Sequence, residues 1–212
     1  MADAEILKAV KTAIEAAPPR KFNQSLDLAF NLKDIDLSIP KNRLDEDVLL
    51  PHGRGTGVRI AVIAGPEVAE KVKKVADTII SADKLSELGG DRKAAKVLAA
   101  RHAYFVAEAP LMPTIGKTLG IVLGPRGKMP RPVPPGSDPS MLVDNLRRTV
   151  KVRSKDRRTF HAPVGPISMS VEQLAENAEA IIKRVQGRLE RGALNIQSIY
   201  LKTTMGPSVR VR

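Results

Sequence analysis

Gly116-Lys117-Thr118 is the first place in this 212-residue chain where phosphate chemistry would be sought. The triplet matches the end of a phosphate-binding loop, whose backbone N–H groups cradle phosphates while the lysine meets their charge. Such a loop needs a glycine five positions before its second glycine. Leu111 stands there, and Pro113 interrupts the span. Gly53-Arg54-Gly55-Thr56-Gly57 has the glycine density of a dinucleotide fingerprint, but it precedes its apolar run. A fingerprint follows a strand and opens a helix, so Gly53, Gly55 and Gly57 read instead as a hinge. His52, His102 and His161 are scattered, and no Ser/His/acid set or carboxylate pair stands out. The absence of cysteine excludes disulfides, thiolate zinc sites and cysteine nucleophiles. The expectation is a protein with no catalytic residues, no metal and no cofactor: not an enzyme.

Charge points elsewhere. Lys and Arg total 35 against 23 Asp and Glu, a formal net charge of +12. Net charge of this sign favours polyanionic partners. It is concentrated in two windows. Arg147 to Arg158 holds seven basic residues and one acid, and Lys117 to Arg131 holds four basic residues and no acid. In the second window Gly124-Pro125-Arg126-Gly127-Lys128-Met129-Pro130-Arg131 combines stiff prolines, permissive glycines and three cations, which suits a phosphate backbone. Arg126, Lys128, Arg131, Arg147, Lys151 and Arg153 are the expected secondary basic surface. A different kind of loop, Thr203-Thr204-Met205-Gly206-Pro207-Ser208, is uncharged and rich in hydroxyls. A loop of that kind can hydrogen-bond 2′-hydroxyls and pack on a base or sugar, or be an ordinary turn.

The elements that position these residues fall into three stretches. Ile6, Leu7, Val10 and Ile14 recur at helical spacing behind Asp3, and Pro18-Pro19 ends that helix. Phe22 to Leu32 alternates, with Leu26, Leu28, Phe30 and Leu32 opposite Asp27, Ala29 and Asn31. Residues 34–47 read as a long acidic loop before a short strand at Val48-Leu49-Leu50. From Val58 the texture changes to strand–helix alternation: strands at 58–64, 78–80 and 104–107, helices at 67–76, 92–100, 111–119 and 141–150. This is the pattern of an α/β layer. The last third returns to an extended stretch at 159–165, a helix opened by a Ser170/Gln173 capping box and closed by Gly192, and an alternating strand at 196–203. Neither end piece has enough apolar face to fold alone. The fold class is therefore α/β: a discontinuous α+β domain from both termini (1–54 and 151–212), with a three-layer Rossmann-like α/β domain inserted (55–150). No apolar run approaches the roughly 20 residues that span a bilayer, and the N-terminus lacks a signal-peptide pattern. A soluble, cytoplasmic protein without a membrane partner is expected.

Four segments carry a resemblance. They are Lys21-Phe22-Asn23-Gln24-Ser25, Leu50-Pro51-His52-Gly53, Leu123 to Pro130, and His161-Ala162-Pro163-Val164-Gly165 together with Thr203 to Ser208. In this order they resemble the ribosomal protein L-one family, in its archaeal branch. The resemblance implies a ribosome-bound protein, a monomer when free, whose first domain binds the stalk region of large-subunit rRNA. It also implies work near exit-site tRNA, assisting release of deacylated tRNA, and repression through a leader or coding-region site on its own mRNA. Carried over by position, the RNA contacts are Lys21, Phe22, Ser25, His161, Ser198, Thr204, Met205 and Gly206.

Overall fold

The computed structural model describes residues 3–73, 75–134 and 139–211. The chain divides into two compact units, Met1–Thr56 with Arg148–Arg212, and Gly57–Arg147. Sequence placed the joints after residues 54 and 150; the structural divisions fall after Thr56 and Arg147.

In unit 1, β1 (Ser25–Leu32) lies between β8 (Thr159–Pro166) and β9 (Ile196–Thr203), and β10 (Ser208–Arg210) extends the sheet beyond β9. All three pairings are antiparallel. Alternation along β1 sends Leu26, Leu28, Phe30 and Leu32 to one face, where they are buried among apolar residues of α1 (Ala4–Glu15) and α8 (Val171–Arg188). Phe30 stacks on its register partner Phe160, with ring centroids 5.0 Å apart. Each such side chain contributes about 1.5–3 kcal/mol over leaving it in water. Among the described residues no helix packs on the other face. The Ser170/Gln173 capping box opens α8 as its sequence predicts. Gly192 does not close that helix: α8 ends at Arg188 with Leu189 extended, and Gly192 sits with φ +54° in the short turn that follows.

The short strand expected at Val48 begins three residues earlier, inside the acidic segment read as loop: β2 (Asp45–Leu49) pairs with β7 (Thr149–Arg153). Its carboxylates do not disfavour the strand because cations face them. Asp45 meets Lys151 at 3.3 Å and Arg153 at 3.2 Å, while Glu46 meets Arg184 at 2.6 Å and Arg188 at 3.0 Å. Thr149 and Val150 belong to β7, not to the preceding helix.

Unit 2 is a parallel sheet in the order β4-β3-β5-β6, from β3 (Ile60–Ile63), β4 (Thr78–Ile80), β5 (Tyr104–Glu108) and β6 (Arg131–Val133). One face packs Ala61, Ile63, Phe105 and Ala107 against α3 (Ala82–Gly90), α4 (Arg92–Arg101), α5 (Met112–Thr118) and α6 (Gly120–Leu123). The opposite face packs Ile60, Val62 and Val106 against α2 (Pro66–Val72) and α7 (Ser140–Arg148). Covered on both faces, the strands are near-continuous apolar runs, as a parallel sheet requires. This is the three-layer, Rossmann-like arrangement.

Candidate nucleic-acid interface

Where β1 begins, the two ends of the chain meet. Thr204 N–H donates to Ser25 O at 3.0 Å, and Thr204 Oγ1 lies 2.8 Å from Asp27 Oδ2 and 3.2 Å from Ser25 O. These contacts hold the turn after β9 against the first residues of β1. Gly206 is demanded by that turn: a Cβ there would stand 2.1 Å from Thr203 Oγ1. Met205 is 67% exposed and Phe22, just ahead of β1, is 60% exposed. Two large apolar groups thus flank a cluster of hydroxyls, backbone and one carboxylate. Lys21 is exposed beside them.

The helix-free sheet face extends this cluster. In register across it run Ser25, Asp27, Ala29 and Asn31 of β1, Thr159, His161 and Pro163 of β8, Ser198, Tyr200 and Lys202 of β9, and Ser208 and Arg210 of β10. Ser198 and His161 therefore share a face with Ser25, but not its immediate neighbourhood. Ser198 pairs in register with Asn31, six positions along β1 from Ser25, a separation of roughly 20 Å. There Asn31 Nδ2 donates to Ser198 Oγ and Thr159 Oγ1 donates to Asn31 Oδ1, both at 2.9 Å. Ser198 itself is buried, whereas His161 is exposed. Asp27, Asn31, Tyr200, Lys202 and Arg210 were not singled out from sequence. For the first four the signal was present in the alternation, since they are the polar partners of the apolar residues that predicted β1 and β9; Arg210 lies in β10, which no alternation marked.

The basic windows look different in three dimensions. Arg126 Nη1 donates to Val122 O at 2.9 Å, and Lys128 Nζ donates to Ala99 O and His102 O, each at 2.7 Å. The carbonyls at the end of a helix lack intrahelical partners, and Lys128 supplies a donor at the end of α4. Burial, and then the neighbouring Arg126, lowers the pKa of Lys128 from the ordinary lysine value. Arg131 opens β6 and is half-buried. Arg147 Nη2 donates to Val75 O at 2.5 Å and lies 3.4 Å from Asp77 Oδ2, while Lys151 and Arg153 share Asp45. The loop and strand cations expected to face phosphate are thus largely engaged with the chain's own carbonyls and carboxylates. Except for Val122, four positions before Arg126, these partners lie 26 or more positions away in sequence, where a charge count does not reveal them.

The glycines of the expected hinge divide in the same way. Gly53 and Gly55 have φ of +69° and +63°, which glycine adopts without strain. A Cβ on Gly55 would meet Pro166 and Met169 below 3 Å, whereas Gly57 has open space. Asn177, fully buried, donates to Gly53 O at 3.0 Å and Val164 O at 3.2 Å and accepts from His52 N–H at 3.2 Å. His52 Nε2 lies 2.5 Å from Glu176 Oε2, and this hydrogen bond is the main cause of the lowered Glu176 pKa.

Gly116-Lys117-Thr118 lies in α5, so its backbone serves a helix and not a phosphate cradle. In doubly wound sheets ligands bind where strand order reverses, at the carboxyl ends of the strands. In unit 2 that point is between β3 and β5, and there Glu108 Oε1 accepts from Gly65 N–H at 2.9 Å. The N–H at the start of α2 is thus already taken by a carboxylate of the chain itself. Among the described residues no group of three or more His, Asp or Glu could hold a metal, and no helix is long and apolar enough to cross a membrane.

A sheet that buries one face and holds hydroxyls, amides and cations in register on the other is built as the surface of a binding protein. The profile of the Ribosomal protein L1p/L10e family matches residues 9–207. The "Large ribosomal subunit protein uL1" of Methanocella arvoryzae is 51% identical over 212 residues, covering 100% of both chains. That of Thermoplasma acidophilum is 50% identical over 208 residues, 98% of this chain and 96% of its own. That of Haloarcula marismortui is 49% identical over 211 residues and 100% of both. The chain belongs to the ribosomal protein L1p/L10e family.

Proposed function

We infer that this protein is a constituent of the large ribosomal subunit that binds the stalk region of its rRNA through the open sheet face of unit 1. The observation carrying this reading is the cluster of Ser25, Asp27 and Thr204 flanked by exposed Phe22 and Met205. Hydroxyls and a carboxylate can accept from and donate to ribose 2′-hydroxyls and base edges. Flat or soft apolar groups can pack on sugars and bases, a mode that separates RNA from DNA. Lys21, Gly206, His161 and Ser198 complete the set, with His161 about 13 Å and Ser198 about 20 Å along the strands from Ser25, the span of several nucleotides.

The finer parts of the proposal rest on the family. The same face would hold a site on the protein's own mRNA that imitates the rRNA one, and the ribosome-bound protein would act on deacylated tRNA near the exit site. Arg126, Lys128, Arg131, Arg147, Lys151 and Arg153 would form the secondary basic surface, with the internal pairing described above limiting what each adds. Gly53, Gly55 and Gly57 would form the hinge between a primary RNA-binding domain and the inserted domain, and the free protein would be a monomer. Filter binding against a structured rRNA stalk fragment, its mRNA counterpart and duplex DNA tests the reading. Binding to both RNAs at a salt concentration where duplex DNA is released is the expected result; equal retention of DNA would overturn it.

A further inference from the structure

We propose that the free edge of β4 in unit 2 is a docking groove for an extended, acidic-ended peptide segment of another protein. β4 is the terminal strand of its sheet, so one side of its backbone has no strand partner among the described residues. Two cavities of about 560 and 370 Å³ run along it and share Thr78, Leu88, Ala94 and Leu98, forming one trough between the strand and helices α3 and α4. Leu88 and Leu98 are half-buried in its floor, and Val97 stands 48% exposed on its wall. An unpaired strand edge beside an apolar trough offers the two components of strand addition: main-chain hydrogen bonds, and pockets for alternate side chains.

Charge selects the occupant and its orientation. At the start of β4 the trough is bounded by Arg59 and Arg101, both exposed and neither holding a carboxylate partner among the described residues. Asp77, beside them, is already committed to Ile60 N–H at 2.9 Å and to Arg147. At the far end stand Lys84, Glu87 and Asp91, with Asp91 Oδ1 taken by the N–H groups of Lys93 and Ala94 at the start of α4. The uncompensated positive charge is therefore at one end only. A segment with acidic residues there and apolar residues alternating along the strand matches both features. A nucleic-acid backbone does not: it would run past three carboxylates and an apolar floor.

The test uses the full chain and a fluorescein-labelled octapeptide of alternating valine and threonine, with two aspartates at one terminus and lysine at the other. The same peptide with its charged ends exchanged, and an N-methylated version, serve as comparisons. Anisotropy titrations should show one of the two charge orientations binding at least about tenfold more tightly than the other. N-methylation should abolish binding. The double variant Arg59→Glu/Arg101→Glu should weaken the preferred peptide by about tenfold or more, and Val97→Asp should weaken it independently. Both alter exposed residues, and circular dichroism will verify that each variant is folded. Equal affinity for the two orientations, no binding at millimolar peptide, or indifference to the arginine substitutions would each overturn the proposal. Displacement of bound peptide by a structured RNA would also overturn it, assigning the trough to nucleic acid.

Discussion

The two units use sheets of similar size in opposite ways. Unit 1 covers one face of its four strands with α1 and α8 and leaves the other open; unit 2 covers both faces. An open face alternates apolar with polar residues and can present a dozen side chains in register to a ligand. A doubly covered sheet has only its edges and strand ends to offer, and in unit 2 one strand end is closed by Glu108. Charge density follows neither pattern. The loop from Gly124 to Arg131 is the more basic in sequence, yet Lys128 and Arg126 turn to backbone carbonyls. Exposed charge is what a charge count cannot measure, because it does not record where each cation finds its partner.

The sharpest way to break this contrast is at the turn after β9. Met205→Asp should cost about 1–3 kcal/mol in RNA affinity while thermal unfolding stays unchanged, and Thr204→Ala should cost a similar amount of affinity together with about 1 kcal/mol of stability from its lost hydroxyl contacts. Unaltered affinity in both would move recognition away from the open face. Lys128→Met should do the reverse. It strands two carbonyls and should cost about 1–2 kcal/mol of stability, with RNA affinity preserved in a filter assay. An affinity loss without a stability loss would return that loop to the nucleic-acid surface. Smaller effects separate free from paired cations: Lys202→Gln and Arg210→Gln should each reduce the salt slope of RNA binding by about 1, whereas Arg153→Gln, already facing Asp45, should leave it almost unchanged.

The smallest effect expected is in the acid limb of stability. His52 holds the Glu176 carboxyl below the usual carboxylate range. A depressed folded pKa means that the pair's contribution is present above the unfolded value and fades as pH falls through the folded one. Urea midpoints measured downward from about pH 5 should therefore decline less steeply in His52→Gln than in the parent. Parallel curves would show that the pair adds nothing.

Much of unit 1 was legible because its strands obey a period of two. Leu26, Leu28, Phe30 and Leu32 predicted β1 and its buried face together, and Ile199 and Leu201 did the same for β9. The open face was present in the same letters as the alternate positions. Residue chemistry alone marked only the loop at Thr204 to Gly206, and the resemblance added Ser25, His161 and Ser198; joining Asp27 to Lys202 requires knowing that β1 pairs with β9. Other elements were illegible for local reasons. Only the end of β2, at Val48 and Leu49, was legible, because it begins with three acids whose partners lie more than 100 positions away, and β6 and β10 are three residues each, one containing Pro132. In α3, a terminal Gly89-Gly90 and a Ser81 without a side-chain cap leave little helix signal.

The contact between Thr204 and Ser25 spans 179 positions, and this has a consequence in time. The chain is made from its N-terminus, so β1 exists long before β9 and the turn that completes the cluster. A nascent protein carries both basic windows before the turn at Thr204 to Gly206 is made, and has no complete recognition face until that turn is added. A growing chain can be drawn to polyanions; only one that has formed this turn can choose among them.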